Sequence, residues 1–134
     1  MSQENVELVR DAVNAFNRRD FDAFVAHVRP DVEWDDTEGF PGVRGVYRGP
    51  AGVRKWWEAW LEVWESFRAE IEEITEGTGG RVLFGVLGTG RGGASGVDVE
   101  VHAWYVLWLV EGEIARWKLF WARDEAIEAA GLSE

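Results

Sequence analysis

The stretch VDVEVHAWYVLWLVEGEIARWKLFW, residues 97–121, decides the fold. Glu111-Gly112 divides two long apolar runs, so it reads as a two-residue hairpin turn between strands at 97–109 and 113–122. Counting outward from a Val110–Glu113 pair, Val106 meets Trp117, Trp104 meets Leu119 and His102 meets Trp121. Cross-strand partners share a face, so this register puts His102 on an aromatic face. The opposite face carries Val97, Val99, Val101, Ala103, Tyr105 and Leu107 and is apolar as well. A sheet apolar on both sides needs cover on both, and one chain of this length has helices for about one. The sequence therefore predicts a homodimer packed through the second, outer sheet face. A slip of one residue would exchange the faces and turn Tyr105 inward in place of His102. Alternation alone leaves both registers open.

Upstream of the hairpin, strands are expected at 68–76 and 81–88, separated by Gly77-Thr78-Gly79-Gly80 and followed by a glycine-rich connection. The first part of the chain reads as helix. Val6, Val9, Val13 and Phe16 recur at helical spacing and predict a helix over 3–18, with Ser2 and Asn5 a poor capping box. Asp20 can cap a short helix at 21–28, which Pro30 ends. Residues 31–36 alternate: Val32, Trp34 and Asp36 share one face, Glu33 and Asp35 the other. A Gly/Pro-rich loop over 37–52 leads to a third helix at about 51–67, whose stripe is Val53, Trp56, Trp57, Trp60, Val63, Trp64 and Phe67. A short helix at 124–130 stops at Gly131. The order α-α-β-α-β-β-β-β-α over one domain, 1–134, predicts an α+β fold with a mostly antiparallel sheet.

Composition narrows the function. The net charge is 14 − 25 = −11, which argues against nucleic acid and against anionic membrane surfaces. No cysteine is present, so disulfides, zinc–thiolate sites and cysteine nucleophiles are excluded. The start has no basic segment followed by an apolar one, and the expectation is a soluble cytoplasmic protein. The nine tryptophans suggest either an over-built core or an aromatic cavity around an apolar ligand.

Four segments carry a family resemblance: the opening ENVELVRDAVNAFNRRDFDAFVAHVRPDVEWDD, YRGPAGV at the start of the third helix, the hairpin VEGEIARWKLF and the ending ARDEAIEAAGLSE. Together they resemble the SnoaL-like branch of the nuclear transport factor 2 / ketosteroid isomerase superfamily. The resemblance implies a cone-shaped curved sheet wrapped around helices, usually dimeric, with a hydrophobic pocket at one end. It implies that Asp36 matches the general-base aspartate of the steroid isomerases. Their oxyanion tyrosine falls on Ala12 and its supporting tyrosine on Trp57. Their second, protonated aspartate falls on Trp104, or on Tyr105 if the hairpin carries a gap. The base is kept and the known oxyanion hole is not, which speaks against steroid isomerisation. SnoaL-type cyclases pair an acid/base aspartate with a histidine or another polar partner, a part that His102 can take.

The expected site is therefore Asp36 and His102 as catalytic residues, with Trp34, Tyr47, Trp56, Trp60, Trp104, Trp117 and Trp121 around an apolar small molecule. An aspartate facing an apolar cavity has its pKa raised by desolvation and becomes a usable base. Plainer readings stand beside these: Asp36 closing a turn, His102 bonded within the core, the tryptophans simply filling the interior. Phe40 and Tyr47 lie on the long loop, where they can lid the cavity or simply pack the loop. The motif at 88–93, Gly88-Thr89-Gly90-Arg91-Gly92-Gly93, lacks the strand–turn–helix setting of a dinucleotide site. Ser66, Ser95 and Ser133 sit in no nucleophile elbow. No metal-ligand spacing occurs, and no cofactor is called for. Three functions remain open: a cyclase- or isomerase-type enzyme, a carrier of an apolar ligand, and a dimeric scaffold with a filled cavity.

Overall fold

The computed structural model describes residues 3–132, so Ser2 and Ser133 lie outside the described residues. The order is α1 (Gln3–Arg18), α2 (Phe21–Val25), β1 (Val28–Asp35), β2 (Val46–Arg48), α3 (Gly49–Val63), β3 (Trp64–Glu76), β4 (Arg81–Gly92), β5 (Asp98–Val110), β6 (Glu113–Phe120) and α4 (Arg123–Ala129). The strands form one open, curved six-stranded sheet in the order β2-β1-β6-β5-β4-β3. Every neighbouring pair is antiparallel except β1–β6. The α+β class and the mostly antiparallel sheet are as expected.

The helices fill the inner face. Leu8, Val9, Ala12, Val13, Ala15 and Phe16 of α1 are buried, as are Val53, Trp56, Trp57 and Trp60 of α3. Asp20 caps α2, its carboxylate accepting from Ala23 N at 3.1 Å. Asn17 ties α1 to the free edge of β3: its amide donates to Ala69 O at 2.8 Å and accepts from Ala69 N at 2.9 Å. That exchange replaces a missing strand neighbour.

Several boundaries differ from expectation, β4 running on to Gly92 among them. The second helix stops at Val25, and β1 runs from Val28 straight through Pro30. Proline is tolerated there because the β1–β6 ladder has no pairing between Val28 and Glu33. Residues 46–48 of the expected loop form β2, with Tyr47 opposite Trp34. The third helix ends at Val63, not 67. Trp64 is already extended and opens β3 without a connecting loop.

The hairpin register is the main correction. Glu111 and Gly112, both at positive φ, make the expected turn, and Val110 pairs with Glu113. The next pairs are Leu109–Ile114 and then Trp108–Arg116, so Ala115 is an extra residue in a β-bulge. Beyond it Leu107 meets Trp117, Val106 meets Lys118, Tyr105 meets Leu119 and Trp104 meets Phe120. The bulge lets Ile114, Trp117 and Leu119 all be buried while Arg116 and Lys118 point outward to Glu33 and Asp35. A regular ladder would put Ile114 on the face of the two cations. Tyr105 and Leu107 thus turn inward, and His102, Trp104, Val106 and Trp108 turn outward.

The face named above as outer is therefore the inner one. The true outer face is partly covered by α4, whose Ala126, Ile127 and following Ala130 pack on Leu83 and Val106. Trp104, Trp108 and Phe120 surround that patch and stay half-buried. Among the described residues, no helix is long and apolar enough to cross a membrane.

Candidate functional site

Asp36 follows the last residue of β1, on the same face as Val32 and Trp34, both fully buried. The chain closes on itself there. Asp36 O accepts from Gly39 N at 2.9 Å and Gly45 N at 3.3 Å, and Asp36 N donates to Gly45 O at 2.8 Å. Both ends of the 37–45 loop are thereby anchored to one residue. A Cβ on Gly39 would meet the Asp36 carboxylate at 2.5 Å, so glycine there lets the loop lie over the acid.

The carboxylate points inward and is only 2% exposed. Oδ2 accepts the Trp56 indole N–H at 3.1 Å. Oδ1 receives no hydrogen bond from the described residues. Burial pushes the Asp36 pKa up to about 6; the Trp56 bond works against the rise and the neighbouring Asp35 charge adds to it. This is a carboxyl that exchanges its proton near neutral pH.

Around it lies an aromatic cluster built from seven elements. Trp34 stacks on Trp117 at 4.1 Å and 9° and tilts against Trp56 at 5.2 Å. Tyr105 packs on Trp117 at 4.6 Å and stacks on Phe84 at 5.1 Å. Phe16 and Phe24 close the helical side. Within this cluster a residual cavity of about 40 Å³ is lined by Trp56, Trp60, Phe67, Phe84, Tyr105 and Trp117, among others. A single water needs about 10–15 Å³ of such space, so the cavity has room for a few water molecules and for no ring. The indoles largely fill the space they line.

Tyr105 is the polar group that the bulged register turns inward in place of His102. No described residue hydrogen-bonds its hydroxyl. Burial raises its pKa well above the usual phenol range, and the Asp36 charge raises it further. It therefore stays a neutral O–H donor, near enough to Asp36 to feel its charge. A signal for this existed in the sequence: Asp98 and Glu100 share the face of His102, which marks that face as the wet one. Tyr47 also faces inward, opposite Trp34, but its hydroxyl is committed to Val43 O at 2.8 Å. Its pKa is likewise raised, by burial first and by Asp36 second.

The other expected residues divide. Trp34, Trp56, Trp60 and Trp117 are buried with Asp36. Trp121 lies at the rim: its indole donates to Glu38 O at 2.5 Å and its ring meets Phe40 edge-on at 5.4 Å. Phe40 in turn packs edge-on against Trp60 and Trp64, at 5.6 and 5.1 Å, and plugs the loop end of the cluster. Trp104 and His102 are brought to the opposite face. His102 is exposed, its Nδ1 lying 2.8 Å from Glu72 Oε1, with Trp104 stacked at 6.5 Å. Four indole N–H groups, on Trp34, Trp60, Trp64 and Trp117, are buried without an acceptor. Among the described residues no group of three or more His, Cys, Asp or Glu is placed to hold a metal ion.

The family model described as "SnoaL-like domain" matches residues 9–117. The chain belongs to the SnoaL-like domain family. Solved structures agree in fold with this SnoaL-like chain. TerC, co-crystallised with polyporic acid, is 21% identical over 96% of this chain and 98% of its own, with a TM-score of 0.79. A candidate polyketide cyclase from Sinorhizobium meliloti is 25% identical over 85% of this chain and 94% of its own, with a TM-score of 0.69. A hypothetical protein of ketosteroid isomerase-like fold from Catenulispora acidiphila, in complex with trimethylamine, is 15% identical over 95% and 94%, with a TM-score of 0.75. No curated protein matches the sequence significantly. Ala12 lines the cavity and brings no polar side-chain group to it.

Proposed function

We propose that this SnoaL-like domain binds a flat apolar carbonyl compound and moves a proton next to the carbonyl with Asp36. The observation that carries this reading is a buried carboxylate with one oxygen held by Trp56 and the other unbonded, at a pKa of about 6. Asp36 takes the proton from the carbon beside the carbonyl. The Tyr105 hydroxyl donates to the oxygen on which charge develops, and Asp36 returns the proton at a second carbon or to the leaving group. A neutral donor with no hydrogen-bond partner among the described residues is the type of group that stabilises such an oxygen. His102 has no part in this scheme, since it faces away from Asp36.

A ring-sized ligand needs more room than about 40 Å³; drug-sized sites span roughly 300–1,000 Å³. Phe40 and the 37–45 loop are the removable cover. Binding then begins with the loop lifting from Trp60 and Trp64. That the co-crystallised TerC shares this fold supports a small-molecule role. The outer face around Trp104, Trp108 and Phe120 is our proposed seat for a second copy of the chain, tested by sedimentation of the wild type and of Trp104→Glu.

The small cavity also favours a second reading, in which the tryptophans keep the space shut and the domain is a scaffold. Indole fluorescence against a panel of apolar carbonyl compounds separates the two. Saturable quenching supports the binding site, and turnover lost in Asp36→Asn with affinity retained supports catalysis. Retained affinity without any turnover supports a carrier. No quenching by any class supports the scaffold.

A further inference from the structure

We propose that Asp35 is a positioning residue for Asp36: clamped by Lys118 and Thr37 on the outer face of β1, it fixes the charge and the strand end behind the inward carboxylate. The proposal rests on the reading of Asp36 as the proton-transfer group. Asp35 and Asp36 are the two buried charged side chains among the described residues, at 8% and 2% exposure, and they are consecutive. Consecutive strand residues point to opposite faces while their α-carbons stay about 3.8 Å apart. Two neighbouring buried acids repel, and that arrangement is stable only if one of them is compensated.

The compensation is one-sided. Asp35 Oδ1 accepts from Thr37 N at 3.1 Å and from Thr37 Oγ1 at 2.8 Å. Its Oδ2 lies 3.1 Å from Lys118 Nζ and 3.9 Å from Arg116 Nη2. Burial disfavours its charge, but the Thr37 and Lys118 hydrogen bonds together outweigh that and hold its pKa below the usual range. Among the described residues no cation pairs with Asp36. Its carboxylate accepts the Trp56 N–H from α3, and its charge acts on Tyr105 of β5 and Tyr47 of β2. In the loop, the Arg44 guanidinium donates to Gly39 O, and the Glu38 carboxylate is a further charge on the same loop. One acid is thus a fixed anion and its neighbour is left to titrate, a division of labour that two paired carboxyls can sustain. The parallel β1–β6 pairing of Asp35 with Lys118 builds this into the sheet.

The test is the carboxyl-carbon NMR titration of Asp36, its resonance identified by its loss in Asp36→Asn. It is run on wild type, Asp35→Asn and Lys118→Met, with folding checked by circular dichroism. Removing the fixed anion should lower the Asp36 midpoint, by about half a unit or more. Removing the cation that screens that anion should raise it. Opposite signs in the two variants are the expected result. A purely structural clamp, once loosened, would admit water and lower both midpoints together, which would overturn the proposal, as would no movement in either. A wild-type midpoint near the ordinary aspartate value would instead remove the reading of Asp36 as a base, an outcome distinct from the other two.

Discussion

The Trp56 indole N–H donates to Asp36 Oδ2 at 3.1 Å, joining the middle of α3 to the end of β1. Of the five indoles on Trp34, Trp56, Trp60, Trp64 and Trp117, this one alone has a buried acceptor. The bond favours the charged form of the acid. Trp56→Phe should therefore raise the Asp36 midpoint above about 6. It should also cost about 1–3 kcal/mol, since a buried carboxylate loses its donor. Carboxyl NMR and urea denaturation read the two effects. A midpoint that falls would show that water replaces the indole.

Asp36 makes stability depend on pH in an unusual direction. Its folded pKa of about 6 lies above the ordinary 3.8. Between these values the native state binds more protons than the unfolded state, so this residue's contribution falls as pH rises from about 4 to about 6 and is flat above. The difference amounts to roughly 3 kcal/mol at pH 7 as an upper figure. Asp36→Asn should accordingly be more stable than wild type at pH 7, with the gain vanishing near pH 4. Thermal melts across that window check it.

Tyr105→Phe should separate function from folding. Its hydroxyl has no partner among the described residues, so its loss should change stability by less than about 0.5 kcal/mol. Turnover of any substrate found should fall by about 10²–10³-fold, as for loss of one oxyanion donor. A large stability loss with unchanged turnover would assign Tyr105 to the core alone.

Phe40→Ala should open the mouth of the cluster. The ring contacts Trp60, Trp64 and Trp121, and its removal uncovers the first two. Acrylamide quenching of indole fluorescence should increase, and apolar ligands should associate faster. Unchanged quenching would place the entrance elsewhere.

Much of this was legible in the chain. The alternation Val32, Trp34, Asp36 put the acid inside, and Glu111-Gly112 marked the turn. The most consequential illegible part was one residue, Ala115. A bulge has no strong local signal, and this one is selected by distant neighbours: Trp117 needs Trp34 on one face, while Arg116 and Lys118 need Glu33 and Asp35 on the other. That single insertion exchanges His102 for Tyr105 and carries Trp104 to the outer face. Residues 64–67 failed for a similar reason. Their helical spacing is real, but Phe67 lies against Gly88 and Gly90, where any Cβ would sit at 2.6 Å from its ring, and that sheet packing prevails over the local pattern.

The central claim is that Asp36 abstracts a proton beside a carbonyl. The most direct measurement is proton NMR in deuterated water of cyclic and aromatic carbonyl compounds incubated with the protein, following loss of the signal from the carbon next to the carbonyl. Exchange catalysed by the wild type is expected for at least one compound that quenches the indoles, and at least about 100-fold slower exchange in Asp36→Asn with binding retained. Compounds that bind saturably yet exchange no faster than in buffer, or as fast with Asp36→Asn, would contradict that claim.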